Sequence, residues 1–330
     1  MDMKQLESVL ARLDELRSPA SLVPFRYQKE DYARWLLAWA LDRPRAVREL
    51  KRGPVAQLMS KPGPRACLSG SGGGRLDALD LLAGCGGNEP YWLSASQWGH
   101  PDNDHDDQQT VRKGYNLVLQ VNFPHSHEQA YRRLLDPSGV RPFTNEDHPV
   151  RRSAPDTMAW ARIDLDLLRG EALIEEIQSD WLREAVDLLE LADRAEAGGN
   201  DRLDYCDLNM GVSAIREYAG YVLRPHAQLW SELTLLATLW LLWERLGISK
   251  VWYFSHSGSW LKGESCEPPR SVYEKLPRRF GFRRTLEAPD FLLAEGGELA
   301  ERLALGAKRV VSWYRLDLGP DMLRPPKDSR

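Results

Sequence analysis

Apolar and polar residues alternate with a period of two in the central part of this chain. Residues 115–123 alternate leucine, valine and phenylalanine with asparagine and glutamine, which predicts a strand. Residues 157–165 predict a second strand, and a short turn at 168–171 leads into a third strand from Ala172. Because only this short turn separates the second and third strands, we expect them to form an antiparallel pair.

Helical spacing of apolar residues dominates the N-terminal part of the chain. Residues 2–17 place leucine and valine on one helical face, and residues 28–60 predict two or three helices interrupted by Pro44 and Pro54. We therefore expect an all-helical N-terminal extension at 1–88, a mixed α/β domain at 89–320 and a flexible tail at 321–330.

The C-terminal half predicts a parallel section of sheet. A helix over 181–197 and a long apolar helix over 231–246 are each followed by glycine, and an apolar strand over 248–254 comes next. A helix, a glycine and an apolar strand form the second half of a βαβ crossover. With closing strands at 280–286 and 309–318, the expected fold class is α/β (α+β), a mixed sheet flanked by helices.

The third strand carries an unusual run of acidic residues between apolar ones. Strict alternation puts Ile174, Glu176, Gln178 and Asp180 on one face, and Glu175 on the other with Leu173, Ile177 and Ser179. A buried carboxylate without a partner costs several kcal/mol, roughly, or becomes protonated. One interpretation is a strand end that lines a cleft, where open sheets place their sites. The other is structural, with acids that face water or pair with arginine, for example Arg162 with Glu176 across the strands.

A second candidate region follows the apolar strand 248–254. His256 lies in the polar loop directly after that strand, which suits an acid, a base or a binding group. Lys262 follows in the same loop. Tyr273 and Lys275 lie on a short helix further along the chain.

Two polar loops suggest ligands but lack the required spacing. The glycine-rich stretch 69–74 has neither the ending of a P-loop nor a dinucleotide fingerprint, which favours a turn. The stretch 100–107 contains two histidines and four aspartates, but it lacks the glycine and glutamate of a calcium loop. We therefore expect a solvated loop and no metal site.

Composition is that of an ordinary globular protein. The 330 residues are 42% hydrophobic and 28% charged, with a net charge of −4 and a pI near 6.0, which makes nucleic acid an unlikely partner. The four cysteines form no CxxC pair, and the N-terminal residues lack an apolar signal core. The longest apolar run, 233–243, is too short to cross a bilayer. These features predict a cytoplasmic protein without membrane contact.

A series of short motifs runs through residues 115–285 of the chain. In order they are Tyr115-Asn-Leu-Val-Leu-Gln, His148-Pro, Ala159-Trp-Ala-Arg162 and Ile174-Glu-Glu-Ile-Gln-Ser-Asp-Trp181. This order resembles a domain of unassigned activity in very large phage and mobile-element polyproteins. The chain differs by having Pro149 where that domain has Trp, and Trp160 where it has His. The resemblance implies shared ancestry more than a known reaction. The residues that we expect to bind a ligand are Arg162, Gln178, Ser179, Asp180, Trp181, Lys262 and Lys275.

The order of elements is also similar to that of the GNAT family of N-acetyltransferases. A strand with acidic residues, a helix, a buried strand and a short helix with Tyr273 before Gly281-Phe282 occur in that order. The resemblance implies acyl transfer from acyl-CoA to an amine of a small molecule or peptide. Glu176 would be the base for the ammonium group, and Tyr273 the acid for the leaving thiolate.

One departure from that family concerns the donor. The family holds the pyrophosphate of coenzyme A on a glycine-containing turn at a helix N-terminus, whereas Gln178-Ser-Asp-Trp-Leu-Arg-Glu here contains no glycine. Asp180 would also repel a phosphate. Two alternatives therefore stay open: a non-catalytic binding protein of phage or defence origin that holds a basic partner, and an ADP-ribosyltransferase that uses NAD.

Overall fold

The computed structural model describes most of the chain. The described residues are 1–17, 22–70, 74–100, 110–135, 143–145, 147–206, 208–258, 269–293 and 311–324. Lys262, most of the polar loop at 100–107, part of the glycine-rich stretch at 69–74 and the end of the C-terminal tail lie outside them.

The described residues form helices and strands that alternate along the chain. The helices are α1 (Met3–Arg12), α2 (Asp14–Arg17), α3 (Tyr32–Ala40), α4 (Val47–Leu50), α5 (Ala56–Met59), α6 (Pro62–Gly70), α7 (Ala78–Leu82), α8 (His125–Leu135), α9 (Asp180–Ala197), α10 (Val212–His226), α11 (Trp230–Trp240), α12 (Leu276–Arg279) and α13 (Asp290–Leu293). The strands are β1 (Val23–Phe25), β2 (Arg45–Ala46), β3 (Arg75–Leu76), β4 (Tyr91–His100), β5 (Gly114–Asn122), β6 (Thr157–Asp166), β7 (Glu171–Gln178), β8 (Arg202–Tyr205), β9 (Leu208–Gly211), β10 (Lys250–Phe254), β11 (Arg283–Thr285) and β12 (Trp313–Asp317). Single turns of π-helix at Leu241–Arg245 and Ser271–Lys275 precede β10 and α12.

Eight strands form one mixed sheet in the order β1-β4-β5-β6-β7-β10-β12-β11. β6 and β7 are antiparallel, as their short turn predicts, and β10 pairs with β7 in parallel. The predicted class, a mixed sheet flanked by helices, is confirmed. The sequence patterns did not single out β4, which is ten residues long and pairs along its length with β5.

The N-terminal region is mostly helical, but it adds three short strands to its helices. One of them, β1, pairs antiparallel with β4 at the edge of the large sheet. Buried Glu232 on α11 accepts hydrogen bonds from the Tyr27 hydroxyl at 2.7 Å and the Glu30 backbone N–H at 2.7 Å, and it also bonds Arg279. These contacts attach the N-terminal region directly to the helices of the larger domain.

One face of the sheet is apolar and packs on α11. Leu119, Ile163, Ile174 and Ile177 belong to the same buried cluster as the leucines of α11. That helix is buried along almost its whole length, because apolar residues lie around its circumference.

The opposite face, which we call the polar face, is organised in rows of cross-strand neighbours. Direct cross-strand partners point to the same side of a sheet. The register places Ser94, Gln120, Trp160 and Gln178 in one row, and Arg162 beside Glu176 in the next. Loop residues cover this face, and Gln120 holds one loop by donating to the Pro149 carbonyl at 2.8 Å.

Two buried histidines lie in the aromatic packing between the sheet and α10. The His127 ring stacks on Phe123 at 3.7 Å, and its Nε2 lies 3.0 Å from the Tyr218 hydroxyl. His226 Nδ1 lies 2.9 Å from the Tyr91 hydroxyl. Burial lowers the pKa of His127 to about 3 and that of His226 to about 4, from an ordinary value of 6.5.

Because both histidines are buried in the neutral form, we expect the protein to lose stability in mild acid. The unfolded chain takes up protons near pH 6.5 while the folded protein does not, so stability falls as the pH decreases below 6.5 toward the folded pKa values. At pH 5 each histidine lowers the free energy of unfolding by about 2 kcal/mol relative to pH 7.5. Urea unfolding of wild type and His226→Phe at both pH values measures this, and the variant should lose about half of the difference. An equal difference in both proteins would contradict the assignment.

Candidate functional site

A β-bulge in β7 determines how the acidic run is presented. Ile163 pairs with Ile174, but Arg162 pairs with Glu176, so Glu175 is an extra residue opposite the β6 strand. This insertion puts Ile174 and Ile177 on the same apolar face although they are three residues apart. The prediction of strict alternation, with Glu175 and Glu176 on opposite faces, is therefore wrong at this point.

Both glutamates contact the same arginine on the polar face. Arg162 donates from Nη2 to Glu176 Oε2 at 2.7 Å, and its Nε lies 3.7 Å from Glu175 Oε2. Glu175 Oε1 also accepts from the Val111 backbone N–H at 3.3 Å, and the Arg162 guanidinium lies 5.9 Å from the Trp98 ring centre. The predicted cross-strand pair of Arg162 and Glu176 is confirmed.

Burial divides this cluster into an inner and an outer part. The side chains of Glu175 and Arg162 are 0% and 2% exposed, whereas Glu176 is 11% exposed. The buried Arg162 charge offsets the desolvation of the carboxylates, which is the structural role that the sequence offered as an alternative. Glu176 is the carboxylate of this pair that solvent reaches.

The ladder between β7 and β10 ends beside Glu176. The last parallel pair joins Ile174 to Tyr253, whereas β7 continues to Gln178. Burial raises the pKa of the Tyr253 phenol, and the nearby Glu176 charge raises it further. The Tyr273 ring meets Tyr253 edge to face at 5.8 Å. Tyr253 therefore neighbours both the predicted base and the predicted acid.

The other acid of the run, Asp180, is the centre of a separate cluster. Its Oδ1 accepts from Gln178 Nε2 at 2.5 Å and from Arg183 Nη2 at 2.7 Å. Its Oδ2 lies 2.9 Å from His148 Nδ1 and 3.1 Å from Trp160 Nε1. Burial raises the pKa of Asp180, but hydrogen bonds from His148, Trp160 and Gln178 more than offset this effect and keep it below its ordinary value.

Ser179 and Trp181 have structural contacts. Ser179 is the N-cap of α9, where its hydroxyl accepts from the Leu182 N–H at 3.3 Å and donates to the Met158 carbonyl at 2.6 Å. Trp181 is buried and donates from Nε1 to the Tyr218 hydroxyl at 2.6 Å. Phe143 stacks on its ring at 5.1 Å. Neither residue presents a group to the polar face.

Three predicted site residues remain: His256, Lys262 and Lys275. The contacts described for them do not connect them to the Arg162 cluster or to the Asp180 cluster. His256 is half-buried in the turn after β10, between Ser255 and Ser257, whose hydroxyls bond Ser312. Lys275 is exposed on the π-helical turn before α12. Lys262 lies outside the described residues.

Sequence reasoning missed three contributors to these clusters. Trp98 and Val111 flank the polar loop, and His148 lies in a loop thirty residues before Gln178. The sequence offered a signal only for His148, as the single histidine of the His148-Pro motif. The indole N–H of Trp160 donates to Asp180 from the neighbouring strand.

Within the described ranges, no set of three or more His, Cys, Asp or Glu side chains is arranged to bind a metal. No helix there combines the length and apolarity needed to cross a membrane. Cys67, Cys85 and Cys206 are free thiols.

Comparison of the chain with protein-family models, with curated proteins and with solved structures gives no match. The likeness to the phage-polyprotein domain and to the GNAT family therefore stays a prediction.

Because Arg162 is the cation shared by Glu175 and Glu176, we expect it to be essential for stability. Arg162→Met leaves Glu175 and Glu176 buried beside each other without this cation, which should lower the free energy of unfolding by about 3–5 kcal/mol. Adding Glu175→Gln should restore part of that loss. Arg216→Gln, which breaks exposed pairs with Asp193 and Glu196, is the matched control and should change stability by less than about 1 kcal/mol. Chemical denaturation of the four proteins checks this, and equal effects of the two arginine substitutions would refute it.

Proposed function

We propose that the chain is a group-transfer enzyme that transfers an acyl group to an amine, with Glu176 as the base and Tyr273 as the acid. The observation that supports the proposal is the end of the β7–β10 ladder at Ile174 and Tyr253, because Glu176 follows the last pair between these two parallel strands. Open sheets with parallel strands bind ligands at this carboxyl end.

The proposed chemistry uses Glu176 and Tyr273, whose ring packs against Tyr253. Glu176 takes a proton from the substrate ammonium, and the freed amine forms a C–N bond to the acyl carbon while the C–S bond of a thioester breaks. The departing sulfur takes a proton from the Tyr273 hydroxyl, and the tyrosine recovers one through solvent as the nitrogen of the new amide loses its second proton. A base at the nucleophile and an acid at the leaving group each lower the barrier.

The donor has to be held without a phosphate site at α9. The helix begins directly after β7, its N-cap hydroxyl already accepts from Leu182, and buried Asp180 lies in its first turn. A negative charge at this position opposes phosphate binding. We therefore propose recognition of the thioester end of the donor, and not of its nucleotide.

A second candidate function is the binding of a basic partner without catalysis. The ion pair of 2.7 Å between Arg162 and Glu176 supports it, because a carboxylate held by arginine is stabilised in its charged form and becomes a weaker base. A cationic side chain could then bind beside Glu176 without reaction.

A cytoplasmic location of the protein also stays a proposal.

The first test is ligand stabilisation measured by thermal shift. Wild type is screened against acetyl-CoA, acetyl-pantetheine and NAD, each with and without a panel of primary amines. A ligand at a hundredfold excess over Kd stabilises the folded state by about 2.7 kcal/mol. We expect acetyl-pantetheine, which lacks the nucleotide, to match acetyl-CoA, and mass spectrometry should detect the acylated amine.

Glu176→Gln is the diagnostic variant for this screen. It should abolish amine acylation and keep the melting temperature within about 3 °C of wild type, because Gln keeps the shape of the side chain. Glu190→Gln, an exposed position on α9, is the matched control and should keep full activity. A shift with NAD alone would favour ADP-ribosyl transfer. Stabilisation by basic peptides without product would favour the binding protein.

A further inference from the structure

His148 is held in one orientation by a buried carboxylate. Its Nδ1 lies 2.9 Å from Asp180 Oδ2, and the Asp180 side chain is 3% exposed. The His148 side chain is 26% exposed, and its ring meets Trp160 edge to face at 5.6 Å. The ring therefore has one edge against a buried anion and retains contact with solvent.

The neighbours of Nδ1 define the tautomer. Gln178 Nε2 lies 3.3 Å from Nδ1 and 2.5 Å from Asp180 Oδ1, so the shorter of its two contacts is a donation to the carboxylate. A deprotonated Nδ1 would face the Asp180 anion with a lone pair. Nδ1 therefore carries the hydrogen and donates it to Asp180, and in the neutral ring Nε2 has the lone pair.

The loop that carries His148 is anchored to the sheet. Buried Gln120 donates to the carbonyl of the next residue, Pro149, at 2.8 Å, and the His148 N–H donates to the Asn145 carbonyl at 3.1 Å. Asp180 is fixed by Arg183 and Trp160 on its own two oxygens. Fixed partners on both sides give the imidazole the preorganisation that proton transfer needs. Among the described residues, none donates to or accepts from Nε2.

We propose that His148 is a proton-transfer residue of the polar face, a general base for a hydroxyl or thiol group of a ligand. The ligand O–H or S–H bond breaks, the heteroatom keeps the electron pair, and Nε2 gains the proton. The resulting imidazolium keeps its Nδ1–H bond to Asp180, whose negative charge stabilises it. Asp180 acts as the positioning residue.

This inference goes beyond the acyl-transfer proposal, because it does not require an acyl donor or Glu176. The two clusters lie in neighbouring rows of one sheet face, since Gln178 follows Glu176 by two residues on β7. Alternate residues of a strand are about 6.6 Å apart. A ligand on the polar face could therefore reach both His148 and Glu176, and each can be tested alone.

The test uses diethyl pyrocarbonate, which acylates the lone-pair nitrogen of neutral imidazole. Labelling rates at each histidine of the full-length protein are measured by peptide mass spectrometry from pH 6 to pH 9, and they are compared at the high-pH plateau, where imidazole rings are neutral. His125, which is exposed at the start of α8, is the internal reference. We expect His148 to react at least roughly threefold faster than His125 although less of it is exposed, because Asp180 raises the nucleophilicity of Nε2.

Two variants distinguish the charge of Asp180 from the packing around it. Asp180→Asn should slow labelling of His148 about tenfold. The native Arg183 contacts Asp180 at Oδ1 only, so Arg183→Gln should change the labelling rate of His148 less than about twofold. Glu176→Gln should leave the rate unchanged, so a failure of acyl transfer does not affect this result. The wild-type comparison decides the outcome if Asp180→Asn does not fold. Labelling of His148 no faster than His125, or insensitive to Asp180→Asn in a folded variant, would overturn the proposal.

Discussion

The single extra residue in β7 is the constraint on which the two faces of the sheet depend. Without the bulge at Glu175, Ile174 and Ile177 would point to opposite sides, and one of them would leave the core beneath α11. With it, both isoleucines pack on the helix and both glutamates meet Arg162. The bulge interrupts the ladder at one residue. In return the apolar face stays continuous, and the two carboxylates and the guanidinium lie together on the other face.

Most regular elements could be predicted because their patterns are long and periodic. The strand at 115–123 and the strand at 157–165 alternate with a period of two, and the helix before β10 is recognisable as a long apolar run that ends at a glycine. The bulge could not be predicted, because a run such as Ile174-Glu-Glu-Ile177 fits a strand with either register, and only the neighbouring strand selects between them. β4 was missed because its apolar residues do not alternate: Trp92 and Trp98 share the polar face with its serines, and Gln97 lies on the apolar face opposite Leu117.

The candidate site was predictable in its acids and in one of their partners. Glu176 and Asp180 are conspicuous in sequence because carboxylates between apolar residues need a reason. Arg162 could be assigned to Glu176 because a short turn joins their strands and sets the two residues opposite each other. His148 comes from a loop before these strands, and no local spacing encodes its contact with Asp180. The strand alternation also suggested that Glu176 and Asp180 share one site, whereas the turn into α9 gives each its own cluster.

The two clusters differ in what their charges are able to do. Asp180 accepts bonds from four side chains, which leaves its carboxylate little capacity for a ligand and makes it a fixed anion behind His148. Glu176 has the Arg162 bond and retains contact with solvent at the end of a strand ladder. A saturated carboxylate orients another group, while a partly solvated one can itself exchange a proton or bind a cation. The same polar face therefore offers an oriented imidazole and an accessible carboxylate, the two kinds of group that proton-transfer chemistry combines.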